Sequence, residues 1–162
     1  KLLFAHYPLD SARQGIFGHS MGGHGAMVLA LRNPGVFKSC SAFAPITQPS
    51  TADWSQRAFS EYLGSDKTAW RAWDTVCLIE DGASVEALLV DQGDADAFLE
   101  DGLRPQLLVQ ACDDAGIDLT LRMQPGYDHS YFFISSFMAD HVKWHAARLS
   151  SDFVRGSNKD LP

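Results

Sequence analysis

Between a strand-prone run, residues 13–19, and a helix-prone run, residues 22–32, the chain carries Gly18-His19-Ser20-Met21-Gly22. A G-x-S-x-G pattern in that setting leaves few architectures open. The serine has to sit on a sharp strand-to-helix turn with its Oγ projecting from the edge of a sheet, and glycines are expected at the flanks because a Cβ there would clash. The helix that follows aims its first N–H groups at the serine, so the backbone N–H of Met21 is the candidate donor to a developing oxyanion.

The rest of the chain alternates short apolar runs with helical stretches. The helix at 22–32 takes its apolar side from Met27, Val28, Leu29 and Leu31 and ends at Asn33-Pro34-Gly35, since proline disfavours helical geometry in the residue before it. A second strand is predicted over 39–44. An excursion from 46 to 83 follows, with helices expected at about 54–63 and 67–79 and with Trp54, Trp70 and Trp73 covering apolar surface. Val85–Val90 is nearly all apolar, the pattern of a strand buried on both faces of a parallel sheet, and Asp91-Gln92-Gly93-Asp94 reads as the loop after it. Pro105 opens a helix to about Ala115 with Gly116 as its C-cap, 117–123 forms the last strand, 125–129 a turn, and 130–149 a long helix. The polar stretch 150–162 is expected to be a frayed tail. Strands alternating with helices imply an α/β three-layer sandwich on a mostly parallel sheet.

A serine hydroxyl becomes nucleophilic only when an oriented histidine takes its proton. Of the six histidines, His6 precedes the elbow and His19 and His24 are locked within it. His141 and His145 stand four apart on the last helix, but no H-E-x-x-H or comparable carboxylate motif makes them metal ligands, and they read as a solvated or helix-packing pair. His129, in the loop between the last strand and the last helix, is the candidate base. The acid belongs beyond the end of an intervening strand, where Asp91, Asp94 and Asp96 cluster; spacing does not choose among them, and Asp128 reads as a turn carboxylate.

Composition narrows the function classes. With 46% hydrophobic and 20% charged residues, the chain is neither a disordered tail nor a disulfide scaffold. Thirteen Lys+Arg against 20 Asp+Glu give a formal charge of −7, which argues against a nucleic-acid partner and against a polybasic membrane anchor. Cys40, Cys77 and Cys112 lack CxxC spacing and read as idle thiols of a reducing compartment, so a cytoplasmic location is expected. No apolar run is long enough to span a bilayer. Lys1-Leu2-Leu3-Phe4, interrupted by His6 and Pro8, reads as the end of a helix rather than a signal peptide.

Five separated segments, Ile16–Ala26, Ser41–Ile46, Tyr62–Gly64, Val90–Gly93 and Gly126–Tyr131, together resemble the S-formylglutathione hydrolase (esterase D) family of α/β-hydrolases, over residues 1–149. The resemblance implies a serine-dependent hydrolase that releases formate and glutathione from S-formylglutathione, a step of formaldehyde detoxification. Carried over by position, the nucleophile is Ser20, the base His129 and the acid Asp96, with no cofactor or metal. It also implies that the chain corresponds to the C-terminal portion of domains of about 200–250 residues, so that a second oxyanion donor and part of the pocket lie elsewhere. The expected partner is a small thioester, and a homodimer is among the expected assemblies of the complete form. A pocket for the glutathione carboxylates would need cations, of which this chain shows only scattered Arg57, Lys67 and Arg104. A general carboxylesterase or acyltransferase would use the same triad, and an inactive fragment lacking half its oxyanion hole is the third reading.

Overall fold

A computed structural model describes residues 2–150 of the chain; the expected tail at 151–162 lies outside the described residues. The opening run is a short helix, α1 (Leu2–His6), none of whose residues is buried. Four parallel strands then form one sheet in sequence order, β1 (Gly15–His19), β2 (Ser39–Phe43), β3 (Ala87–Gly93) and β4 (Asp118–Gln124). Phe17 pairs with Ser41, Ser41 with Leu89 and Leu89 with Thr120. Parallel neighbours need helical crossovers. The chain supplies α2 (Met21–Arg32), α3 (Asp53–Leu63), α4 (Lys67–Trp70), α5 (Thr75–Glu80), α6 (Pro105–Ala115) and α7 (Tyr131–Leu149).

The two faces of the sheet are chemically different. Side chains alternate along a strand, so Cys40 and Ala42 of β2 and Leu88 and Val90 of β3 join Met27 and Leu31 of α2, Val76 and Ile79 of α5 and Leu108 and Cys112 of α6 in one apolar core. The opposite residues, Ser39, Ser41, Phe43 and Asp91, are buried as well, and these face α7, whose own buried residues are Phe133, Ile134, His141 and His145. Phe43 and Phe133 anchor a second apolar cluster with Ile46 and Leu103. Towards the C-terminal half of α7, however, the helix meets the sheet through polar groups.

Three expectations from the sequence do not hold. The helix expected at 67–79 is broken, because Asp74 is buried as an N-cap: one carboxylate oxygen accepts the Cys77 N–H at 3.1 Å and the other the Ser50 N–H at 2.9 Å. Satisfying orphan helix N–H groups in this way starts α5 afresh. Consequently only Trp70 is buried. Trp54 and Trp73 stay about half exposed, Trp73 lying under the Arg32 guanidinium at 3.9 Å. Leu29, expected on the apolar side of α2, faces out. Finally, Asp91-Gln92-Gly93 is strand, not loop, because its polar side chains have partners: Asp91 takes hydrogen bonds from Arg122 and Gln124 of β4 and from His141 of α7.

Burial by itself would raise the Asp91 pKa, but the hydrogen bonds from His141, Arg122 and Gln124 outweigh it and hold the carboxyl below its usual range. A carboxylate depressed in the folded state contributes stability that is present above its unfolded pKa of about 4 and is lost as pH falls through the folded value. We therefore expect the unfolding free energy to fall below pH ~4. In Asp91→Asn this part of the acid dependence should flatten, and the variant should lose about 1–3 kcal/mol at pH 7 by weakening the bonds that Arg122, Gln124 and His141 make to the carboxylate, Arg122 keeping Asp140. Urea denaturation followed across that pH range measures both effects.

Candidate active site

Ser20, between β1 and α2, has a backbone conformation with φ 56°, ψ −118°, a region that costs a non-glycine residue roughly 1–3 kcal/mol. The turn is held on both sides. The Ser20 N–H donates to the Phe43 carbonyl at 2.9 Å, and the Ser20 carbonyl accepts from His24 at 2.9 Å and from Ile46 at 3.4 Å. Met21 is the first residue of α2, so its N–H has no acceptor within the helix. The glycines divide into two roles. A Cβ on Gly18 would lie 2.2 Å from the Gly22 carbonyl oxygen, and one on Gly23 would crowd Pro45 and Ala42. A Cβ on Gly22 would meet nothing within 4 Å, which corrects the expectation that both flanks of the motif are glycine for want of space: at Gly22 it is the backbone carbonyl that needs Gly18 bare.

Each of the four candidate carboxylates has its own partner. Asp96, its side chain fully buried, accepts from His129 Nδ1 at 2.6 Å. Its other oxygen accepts the Phe98 N–H at 2.9 Å, and Gln92 Nε2 donates to the His-bearing oxygen at 3.2 Å. Asp94 instead accepts the Gly126 N–H at 2.6 Å, Asp128 accepts the Ser130 N–H at 3.0 Å, and Asp91 pairs with Arg122 and His141. With Nδ1–H given to Asp96, His129 keeps Nε2 bare for a serine proton. Among the described residues no hydrogen bond links Ser20 Oγ to His129; such bonds are often loose without substrate and tighten in the reacting complex.

The loops that carry Asp96 and His129 press against each other. The Ala95 N–H donates to the Tyr127 carbonyl at 3.0 Å, and a Cβ on Gly93 would lie 2.2 Å from that same oxygen. His129 is also bounded by rings: His19 lies 4.4 Å away between centroids and Phe98 meets it edge-on at 5.2 Å. Burial lowers the His19 pKa, with His129 lowering it further and Asp96 opposing, and its buried Nε2 has no hydrogen-bond partner. Sequence reading passed over Gln92, Phe98 and His19 as supports of the pair. Phe98 was findable in principle, because an Asp whose side chain caps the N–H two residues on is a common turn device. Of the cations suggested for substrate carboxylates, Arg104 is used by the fold, donating to the Gln48 carbonyl and to Thr51 Oγ1 at 2.8 Å each. Lys67 donates to Gln56 Oε1 at 3.2 Å. His141 and His145 are not solvated but buried, each ring nitrogen hydrogen-bonded to the sheet.

Among known proteins, the "Putative esterase" family model matches residues 1–147. The chain is 47% identical over 154 residues to an S-formylglutathione hydrolase of Mus musculus, covering 93% of this chain and 54% of the relative. To one of Paracoccus denitrificans it is 50% identical, covering 92% and 53%. The solved structure of an S-formylglutathione hydrolase from Agrobacterium tumefaciens superposes with a TM-score of 0.90 at 60% identity, covering 92% of this chain and 54% of that one. The chain thus spans about half the length of the relatives it matches.

The elbow geometry separates the two motif glycines. Gly18→Ala should cost about 3 kcal/mol or more through overpacking against backbone, whereas Gly22→Ala should melt within about 0.5 kcal/mol of the parent. Thermal denaturation of the two variants, monitored by circular dichroism, checks the contrast.

Proposed function

The chain belongs to the esterase family whose model spans residues 1–147, and from that premise we propose that it carries the catalytic triad of an S-formylglutathione hydrolase: Ser20 the nucleophile, His129 the base, Asp96 the acid. The observation that supports this most is the pairing of a strained serine at a strand-to-helix turn with a histidine–carboxylate pair at 2.6 Å on the loops beside it. Relatives at 47% and 50% identity bear that name.

On this reading Ser20 Oγ attacks the thioester carbonyl as its proton passes to His129 Nε2. The new Oγ–C bond places negative charge on the carbonyl oxygen, which the Met21 N–H stabilises. Collapse breaks the C–S bond, and His129 returns the proton to the departing glutathione sulfur. Water then attacks the formyl-serine as its proton passes to His129, the C–Oγ bond breaks, His129 returns the proton to Ser20 Oγ, and the formic acid leaves as formate and a proton. Asp96 keeps Nδ1–H in place and balances the imidazolium that forms at each step. No step calls on a metal or cofactor. We assign residues 1–149 to one hydrolase domain and place the second oxyanion donor in the additional length of its relatives. Among the described residues no helix is long and apolar enough to cross a membrane. All three cysteines are free and buried, with burial raising Cys40 to about 12 and Cys77 and Cys112 to about 11. Such unreactive thiols suit a reducing cytoplasm.

Ser20→Ala should abolish fluorophosphonate labelling and hydrolysis while leaving the melt unchanged, and labelling at any other residue would overturn the assignment. Turnover of S-formylglutathione measured beside a short p-nitrophenyl ester separates the thioesterase reading from a general esterase: the thioester should be preferred in kcat/KM.

For the acid, Asp96→Asn should lower kcat by roughly 10⁴-fold. Asp94→Asn should lower it far less, since Asp94 holds only the Gly126 turn. Steady-state kinetics in the full-length enzyme reads the ranking, and a larger loss at Asp94 would reverse it.

A further inference from the structure

The polar face beneath α7 holds a second serine–histidine–aspartate arrangement that the proposed reaction does not use. His141 Nε2 lies 3.0 Å from Asp91 Oδ2 and His141 Nδ1 2.8 Å from Ser41 Oγ. The same Ser41 Oγ lies 2.8 Å from His145 Nε2, and His145 Nδ1 is 2.6 Å from Ser39 Oγ. All five residues are buried, so this is no second catalytic centre open to substrate.

Its bonds have a direction that proton counting reveals. The Asp91 carboxylate only accepts, so His141 Nε2 carries a proton. Ser41 has one proton for two histidine nitrogens, so one of them must donate to it. The Arg122 guanidinium donates to the two Asp91 oxygens at 2.7 and 2.5 Å, and with one proton on each imidazole the chain has a single direction. It then runs Ser39 O–H to His145 Nδ1, His145 Nε2–H to Ser41, Ser41 O–H to His141 Nδ1, and His141 Nε2–H to Asp91. Every hydrogen is used once. The other charged groups about the chain are Asp140, paired with Arg122 at 3.1 Å, and Arg148 on the last turn of α7. Burial above all pushes the His145 pKa down to about 4, in keeping with an uncharged imidazole there.

The chain converges on the supports of all three reacting groups. The His141 ring stacks on Phe43, 3.7 Å between centroids and 20° from parallel, and it is the Phe43 carbonyl that receives the Ser20 N–H. Asp91 lies on the strand that runs into the Asp96 loop. Arg122 and Gln124, both bonded to Asp91, lie on the strand that runs into His129, and α7 begins just after His129.

We propose that His141 is a positioning residue: by joining Phe43, Ser41 and Asp91 it fixes the relative placement of the segments bearing Ser20, Asp96 and His129. This rests on the serine-hydrolase reading. A misplacement of about 1 Å can cost roughly 100-fold in rate, so a group that acts on all three segments at once has leverage on turnover without touching substrate.

The test uses the full 162-residue chain and a fluorophosphonate that labels Ser20. His141→Phe keeps a ring against Phe43 but loses both hydrogen bonds; His141→Gln keeps a donor within reach of Asp91. The maximal labelling rate should fall by roughly 10- to 100-fold in His141→Phe, with the half-saturating probe concentration unchanged, and should recover in part in His141→Gln. Nitrogen-15 imidazole spectra of the wild type at pH 7 give a readout that needs no folded variant: both His141 and His145 should be Nε2–H tautomers. A His145 Nδ1–H tautomer, or a His141→Phe rate equal to that of the wild type, overturns the proposal while leaving the hydrolase reading intact. If the wild-type chain takes no label at Ser20, the tautomer pair alone decides the proposal.

Discussion

Where the four strands end, their backbone hydrogen bonding does not stop. Ser20 donates to Phe43, Ala44 to Asp91 and Asp94 to Gln124, at 2.9, 2.7 and 3.2 Å, so the residue just past each of β1, β2 and β3 bonds to the neighbouring strand's main chain. The ladder thereby extends into the turns that carry the functional side chains. Loops after parallel strands are where α/β proteins gather their chemistry, and here the extension makes those loops as well determined as the sheet. The unusual backbone at Ser20 depends on it. So does Ala44, which has a positive φ of 42° between Phe43, the acceptor for Ser20, and Pro45, which crowds Gly23.

Glycines complete what the ladder begins. Gly18 lets α2 start directly against β1, and Gly93 lets the acid-bearing segment lie flush with the Tyr127 carbonyl. The two close approaches are built alike, each with a backbone carbonyl in the space a side chain would fill. One brings the elbow into shape and the other brings Asp96 to His129. The helix lying over Phe43 and Asp91 closes the arrangement from the far side of the sheet.

Much of this was legible in the residues. The elbow, the first helix, the Pro105–Gly116 helix and the loop position of His129 all follow from local signals whose physics is short-ranged: a glycine pattern, a proline at N1, a C-cap glycine with φ 67°. What was not legible depends on distant partners. Asp91 and Gln92 look like loop residues because nothing nearby in sequence announces Arg122 or Asp96 as their partners. The break before α5 needed Asp74 to be recognised as a buried cap bonded to Ser50 as well as to its own helix. The choice among Asp91, Asp94 and Asp96 required the turn at 125–128 to be in place first. His141 and His145 stand at helical spacing, a pattern that gave no hint of the two serines of β2 that receive them.

The contrast between the two faces of the sheet also sets how the chain can drift or be redesigned. Against α2, α5 and α6 the contacts are apolar and non-directional, so several side chains can change together provided the summed volume is kept. Against the C-terminal half of α7 the buried histidines are held by hydrogen bonds, each with a donor, an acceptor and an angle, and no single replacement preserves its neighbours' bonds. One side of this protein is therefore plastic to sequence change, and the other behaves as a lock whose tumblers can be altered only as a set.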